Sequence, residues 1–271
     1  MDTTHREQYR IRSAEVDPRG HATPTAVANL LQEAAAAGAR RLGVAVEHLH
    51  ERGMTWYLNR LHLRQRRPPW IGETLEIETW PSCVERIHAL RDFRLFLDGG
   101  ADAIEIGVAS SAWLLVDLES RKPIRRLPDE LKAMHPDPPR RALDVRFGKL
   151  PAPPARDDAE GHTASHAFPL RRTDLDLNGH VNYGVFVDAL MEATPEALWS
   201  SGELVELEID FKAEARPGDS LLTQSAAVGA EVAGVEVADD EVAVLHTIAH
   251  GEDGRELVRA RSRWWRGPAS A

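Results

Sequence analysis

The segment Asp174-Leu175-Asp176-Leu177-Asn178-Gly179-His180-Val181-Asn182 packs two carboxylates, a carboxamide and an imidazole into one short polar stretch. If it runs extended, alternate residues share a side, and Asp176, Asn178 and His180 face one small space. An acid, an amide donor and an imidazole held together can take a proton from water and return one to a leaving group. Turns favour Asp and Asn for their own reasons, so each residue alone reads equally well as turn chemistry. The convergence of three functional types just ahead of a helix start favours the chemical reading.

A largely apolar run from Tyr183 to Leu190 follows at once. Asn182 is an N-cap type whose side-chain oxygen can accept from the free amides of the first turn. Behind it Phe186, Ala189, Leu190 and Ala193 fall on one face at helical spacing. The polar loop therefore runs into the positive end of a buried helix, a setting suited to a carbonyl that becomes an oxyanion.

A weaker copy of this segment lies near the start of the chain. Glu15-Val16-Asp17-Pro18-Arg19-Gly20-His21 aligns with Asp174 to His180 at a constant offset of 159 residues, as Asp17 with Asp176 and His21 with His180 show. The offset carries on: Thr23, followed by Pro24 at a first helical position, matches Asn182. Val27, Leu30, Leu31 and Ala34 match the apolar face above, and Glu33 matches Glu192. This is a duplication. The first copy has Arg19 where the second has Asn178, so the second is the better candidate site, and Asp17 and His21 read as structural relics.

After each helix the pattern turns to strands: Thr55–Leu63, Thr74–Trp80, Leu90–Leu97 and Ile104–Val116 in the first half, then Leu221–Ala227, Glu241–Ala249 and Leu257–Trp265 in the second. Val205, Leu207, Ile209, Phe211 and Ala213 alternate with charged residues, which predicts a strand with one buried face. Asp253-Gly254 predicts a type I′ hairpin turn. Pro136 to Pro139 and Leu150 to Pro154 mark a stiff surface connector. The expected organisation is an N-terminal unit over 1–135, a Pro-rich linker over 136–160 and a C-terminal unit over 161–267. Each is a helix buried on an antiparallel sheet, making the chain α+β.

Composition narrows the function. A formal charge of −10 argues against nucleic-acid binding through bulk charge. No apolar run approaches the roughly 20 residues that span a bilayer, and the charged start lacks a secretory core. The single cysteine, Cys83, excludes an internal disulfide and a thiolate metal cluster, points to a reduced cytoplasmic compartment, and itself reads as a small apolar core residue. His162, His166, His246 and His250 lack trusted partners at metal-ligand spacing, so neither metal nor cofactor is expected. Two basic runs, Arg60 to Arg67 and Arg121 to Arg126, read first as solvated faces and second as a patch for an acidic carrier.

With these residues in hand, the chain resembles the acyl-acyl-carrier-protein thioesterases, which fuse two hot-dog units. The resemblance rests on Asp174 to Asn182, on Trp113 to Asp117 with Arg121 and Lys122, and on Met54 to Arg60 through Pro69, Gly72, Glu76 and Thr79-Trp80. It implies a tandem hot-dog fold, each unit a central helix wrapped by an antiparallel sheet, with the acyl tail on the side of a non-catalytic first unit. It further implies catalytic roles for Asp176, Asn178 and His180, and for a glutamate after an acidic-aromatic-basic stretch, here Asp210-Phe211-Lys212-Ala213-Glu214. Where some members carry a cysteine next, this chain has Ala215, so a thiol acyl-enzyme at that place is excluded and water is the expected nucleophile. Strict alternation puts Glu214 on the face of Glu206, Glu208, Asp210 and Lys212, which reads as the solvent face. A bulge, or a meeting of the two units on that face, would re-aim it.

The expected activity is hydrolysis of a fatty or related acyl thioester on the phosphopantetheine of acyl carrier protein, without nucleic acid or membrane and with a homodimer possible. Glu214 or Asp176 serves as base, and His180 either orients the carboxylates or protonates the thiolate. Hydrolysis of acyl-coenzyme A at the same site, and non-catalytic binding of acyl thioesters, are the two rivals.

Overall fold

The computed structural model describes residues 2–100, 103–144, 147–154, 163–176 and 179–266. They form two compact units, Met1–Phe147 and Gly148–Ala271. In the first unit, strand β1 (His5–Arg10) precedes helix α1 (Pro24–Arg41) and the short helix α2 (Val46–His50). Strands β2 (Met54–Gln65), β3 (Thr74–Glu85), β4 (His88–Leu97) and β5 (Ile104–Asp117) follow, with a last turn of helix α3 (Asp129–Lys132). The sheet order is β1-β3-β4-β5-β2, every pairing antiparallel.

Helix α1 forms where the sequence asks for it. Thr23 Oγ1 accepts the Ala26 amide at 3.1 Å, and Pro24 fills the first helical position, where an N–H would have no partner. Val27, Leu31 and Ala34 are buried on the sheet, and Gly43, at φ +70°, follows the end of the helix in a conformation L side chains resist.

The second unit repeats the plan: β6 (Thr163–Pro169), α4 (Tyr183–Glu192), α5 (Glu196–Ser201), β7 (Glu203–Phe211), β8 (Ser220–Val228), α6 (Ala230–Ala233), β9 (Glu241–His250) and β10 (Glu256–Trp265). Its order, β6-β8-β9-β10-β7, is that of the first unit strand for strand. Each unit is a helix on an antiparallel sheet, the hot-dog arrangement. Helix α4 is shorter than α1 because Thr194 bonds back to the Leu190 carbonyl and Pro195 cannot continue the ladder. Its core contribution is dense: Phe186, Val187, Ala189 and Leu190 are all buried. The duplication reaches details. The Trp113 indole donates to Ser111 and the Trp264 indole to Ser262, both at 2.8 Å.

Four features differ from the sequence reading. Each unit opens with a strand that hydrophobic patterning missed, because His5–Arg10 is polar throughout and only half-buried. The charged face of β7 is not wet. Glu206, Glu208 and Asp210 are buried opposite Arg263, Arg261 and Arg259 of β10, with Glu208 bonded to Arg261 at 2.7 Å and Glu206 to Arg263. The strand ends at Phe211, and the Lys212 and Ala213 amides both converge on the Leu257 carbonyl, at 2.8 and 3.2 Å. Two successive donors on one acceptor are the signature of a bulge, and the chain leaves the alternation there. Finally, β9 and β10 are joined by Gly251 to Arg255, with a positive φ at Gly254 alone, so the turn is longer than a type I′ pair.

Part of the connector is fastened down. In the first unit the Ala142 amide bonds Asp92 at 2.6 Å, and the Arg140 guanidinium lies 3.9 Å over the Trp80 ring. In the second, the Leu150 carbonyl accepts from Arg259 at 3.4 Å.

Candidate active site

The loop before α4 is built on Asp176. Its amide donates to the His180 carbonyl at 2.8 Å, its carbonyl accepts from Gly179 at 3.0 Å, and its Oδ1 accepts the His180 amide at 3.2 Å. Gly179 sits at φ +72°, which allows the chain to double back. Just upstream, the Asp174 carboxylate accepts the Arg171 amide at 2.7 Å and its guanidinium at 3.0 Å, closing a short turn. The Asp174 carbonyl then accepts the Asn182 amide at 2.8 Å.

The first unit makes the same loop. The Asp17 amide donates to the His21 carbonyl at 2.8 Å, Gly20 donates to Asp17 at 2.9 Å, Asp17 Oδ1 accepts the His21 amide at 3.0 Å, and Gly20 lies at φ +87°. Arg12 and Glu15 close the upstream turn as Arg171 and Asp174 do. The signal for this clamp was in the sequence, since both pairs stand 159 residues apart.

What differs is the strand-to-strand loop packed against each tip. Val181 donates to the Ala215 carbonyl at 3.3 Å, and its counterpart Ala22 donates to the Pro69 carbonyl at 2.7 Å. Ala215 and Pro69 are therefore equivalent, and Glu214 in the second unit is replaced by Pro68 in the first. Released from β7 by the bulge, Glu214 brings Oε2 to 3.5 Å from His180 Nε2, with the two side chains 35% and 26% exposed. In the first unit His21 instead meets Trp70 edge to face at 5.0 Å, and Arg19 closes on Asp17 with its backbone amide and its guanidinium Nε, each at 2.9 Å. One tip holds a water-accessible acid–imidazole pair. The other is filled.

The structure thus brings Asp176, His180 and Glu214 into one place, and Asn178 lies outside the described residues. At the helix tip, Asn182 Oδ1 takes the Gly184 amide at 2.8 Å and its carbonyl takes the Val185 amide at 3.0 Å. Those two amides are spent on the cap, so what α4 offers a developing oxyanion through them is the field of its positive end rather than a donated bond. Among the described residues no three His, Cys, Asp or Glu side chains converge as a metal ion would need. Cys83 is buried in the first unit, where burial raises its thiol pKa, and plays no part at this tip.

A duplicated hot-dog chain with a carboxylate–imidazole pair at one helix tip is the architecture that the sequence resemblance implies. The comparisons with known proteins name the group. Residues 2–135 match the model of the acyl-ACP thioesterase N-terminal domain, and residues 157–266 that of the C-terminal domain. The chain belongs to the acyl-ACP thioesterase family. It is 26% identical to oleoyl-acyl carrier protein thioesterase 1 of Arabidopsis thaliana, over 98% of this chain and 77% of that protein. It is also 26% identical to the dodecanoyl-[acyl-carrier-protein] hydrolase of Cinnamomum camphora, over 96% and 67%. The fold is that of the 12:0-ACP thioesterase from Umbellularia californica, with a TM-score of 0.79, 23% identity and coverage of 97% and 94%.

Proposed function

We propose that the protein hydrolyses fatty acyl thioesters carried on acyl carrier protein, with Glu214 as the general base and Asp176 as the builder of the loop. The observation behind the base assignment is the contrast between the tips. The Asp176 oxygen that holds the His180 amide has an equivalent in Asp17, in a unit with no base, whereas Glu214 has none, its place being taken by Pro68.

Glu214 removes a proton from water, and the oxygen adds to the thioester carbonyl. The tetrahedral intermediate collapses by breaking the C–S bond. The proton on Glu214 passes through the adjacent His180 to the departing thiolate, leaving a carboxylic acid and a free thiol. Asn178 positions the water or the substrate. General-base assistance of this kind is worth about 10²–10⁴ in rate. A thioester carbonyl, weakly resonance-stabilised, needs no covalent intermediate, in keeping with Ala215 beside the base. Acyl carrier protein is the proposed partner, and the lone cysteine fits a reducing cytoplasmic setting.

The test is release of free thiol from matched acyl-carrier and acyl-coenzyme A substrates by the native protein and by Asp176→Ala, Asn178→Ala, His180→Ala and Glu214→Ala. Preference for the coenzyme A ester would reassign the carrier. Turnover in the native protein no faster than in Glu214→Ala would remove the mechanism.

A further inference from the structure

We infer that His250, acting through Asp219, is a positioning residue that aims Glu214. This rests on the reading of Glu214 as the base. The segment between β7 and β8 carries Glu214 in irregular backbone, and such a segment keeps its aim only where it is fastened. Upstream, the Lys212 and Ala213 amides hold to the Leu257 carbonyl; at Ala215, the carbonyl holds to Val181. Downstream, Asp219 Oδ2 accepts the Arg216 amide at 2.8 Å, while the Asp219 amide returns a bond to the Arg216 carbonyl at 3.1 Å. The third fastening is therefore the Asp219 side chain, which holds the backbone amide two residues past Glu214.

That side chain is itself held from another strand. Asp219 Oδ1 lies 3.4 Å from His250 Nε2, and His250 Nδ1 lies 2.9 Å from Asp253 Oδ1. His250 is the last residue of β9, fixed by its own amide on the Arg255 carbonyl at 2.8 Å. A chain of contacts thus runs from the β9–β10 turn, through His250 and Asp219, to the backbone beside the base. The first unit shows what is specific here. Its Glu73 accepts the Trp70 amide at 2.7 Å, as Asp219 accepts that of Arg216, yet Glu73 is held by Arg67 of its own loop, at 2.7 Å. Only the loop that carries a carboxylate base is tied by its acid to a neighbouring strand among these two. A base displaced by about 1 Å can lose a large part of its effect.

His250→Leu and Asp219→Asn should each lower kcat about tenfold on an acyl-carrier thioester, with KM within about twofold. His250→Gln, which keeps a donor toward Asp219, should recover most of the loss. The deciding measurement repeats His250→Leu and Asp219→Asn in a Glu214→Gln background, where a residue that works through the base has nothing left to aim and kcat should fall no further. An undiminished tenfold loss in that background, or full activity in His250→Leu, would overturn the inference and leave the base assignment standing. Native kcat in Glu214→Gln alone would remove the base assignment, and the inference with it. If His250→Leu does not fold, Asp219→Asn against His250→Gln gives the same decision.

Discussion

The two helix tips share a loop and differ in what faces it. Both close a turn with an arginine and an acid, fold an aspartate onto the amide of a histidine, and start a helix with a polar cap. In the first unit Arg19 pairs with Asp17 and Trp70 lies edge to face with His21. In the second, Glu214 meets His180 at 3.5 Å. The comparison teaches that the aspartate side chain and the backbone of the histidine turn the chain in both units, and that the two tips part in what the neighbouring loop adds. A duplicated fold keeps the scaffold in both copies while the carboxylate–imidazole contact of Glu214 and His180 belongs to one.

Glu214→Gln should produce the largest effect, a fall of about 10²–10⁴ in single-turnover thiol release, while His21→Ala in the first unit stays within about twofold. Equal losses from the two would end the distinction between the tips. Next comes Asn178→Arg, which imports the first unit's residue. The Arg19 guanidinium neutralises Asp17 through Nε at 2.9 Å and Nη2 at 2.8 Å, and the same closure over Asp176 should cost about 10–100-fold in kcat with little change in the melting midpoint.

A third comparison lies under the helices. Phe93, opposite Ala109, corresponds to His246, opposite Ala260, and His246 is fully buried between Ser225 at 2.6 Å and Ser262 at 2.8 Å. Burial pushes its pKa down to about 3, against about 6.5 for an unfolded chain. Between those values the unfolded chain takes up a proton that the folded one refuses. The contribution of His246 is thus fully present above about pH 6.5 and is lost on acidification, by up to about 1.4 kcal/mol per pH unit. Urea midpoints at pH 7 and pH 5 should show His246→Phe less stable at neutrality, with Ser225 and Ser262 each losing the imidazole and Ser262 keeping the Trp264 indole, yet with a shallower decline in acid.

The smallest effect is expected at the caps. Thr23→Ala and Asn182→Ala should each cost about 1 kcal/mol by denaturant titration. Thr23→Ala should leave kcat unchanged, whereas Asn182→Ala should lower it. A rate loss from Thr23→Ala would mean that the first tip also serves catalysis.

The sequence disclosed most where one element imposes its own period. The helices, their caps and the duplication could be read because the apolar face and the capping residues recur at one fixed offset. Eight strands could be read because their apolar residues alternate or cluster. His5–Arg10 could not, since a half-buried strand of polar residues has no such signal. Glu214 was found through the resemblance alone. Alternation placed it on the charged face of β7, and its true direction depends on the bulge at Lys212 and Ala213, which is set by a carbonyl of another strand. The charged face was misread for a similar reason. Glu206 and Glu208 are buried because Arg263 and Arg261 lie opposite, more than fifty residues along the chain.

That separation has a consequence for how the second unit comes into being. The acids of β7 are made early and their arginines last, Arg261 standing 53 positions after Glu208. A nascent chain that collapsed before β10 emerged would trap carboxylates without counterions, at a cost of about 3–5 kcal/mol for each broken pair. The strand that leads to Glu214 therefore cannot settle until β10 has been translated. Chains cut short ahead of Arg259 should accumulate with an ordered first half and an unfinished, protease-sensitive second.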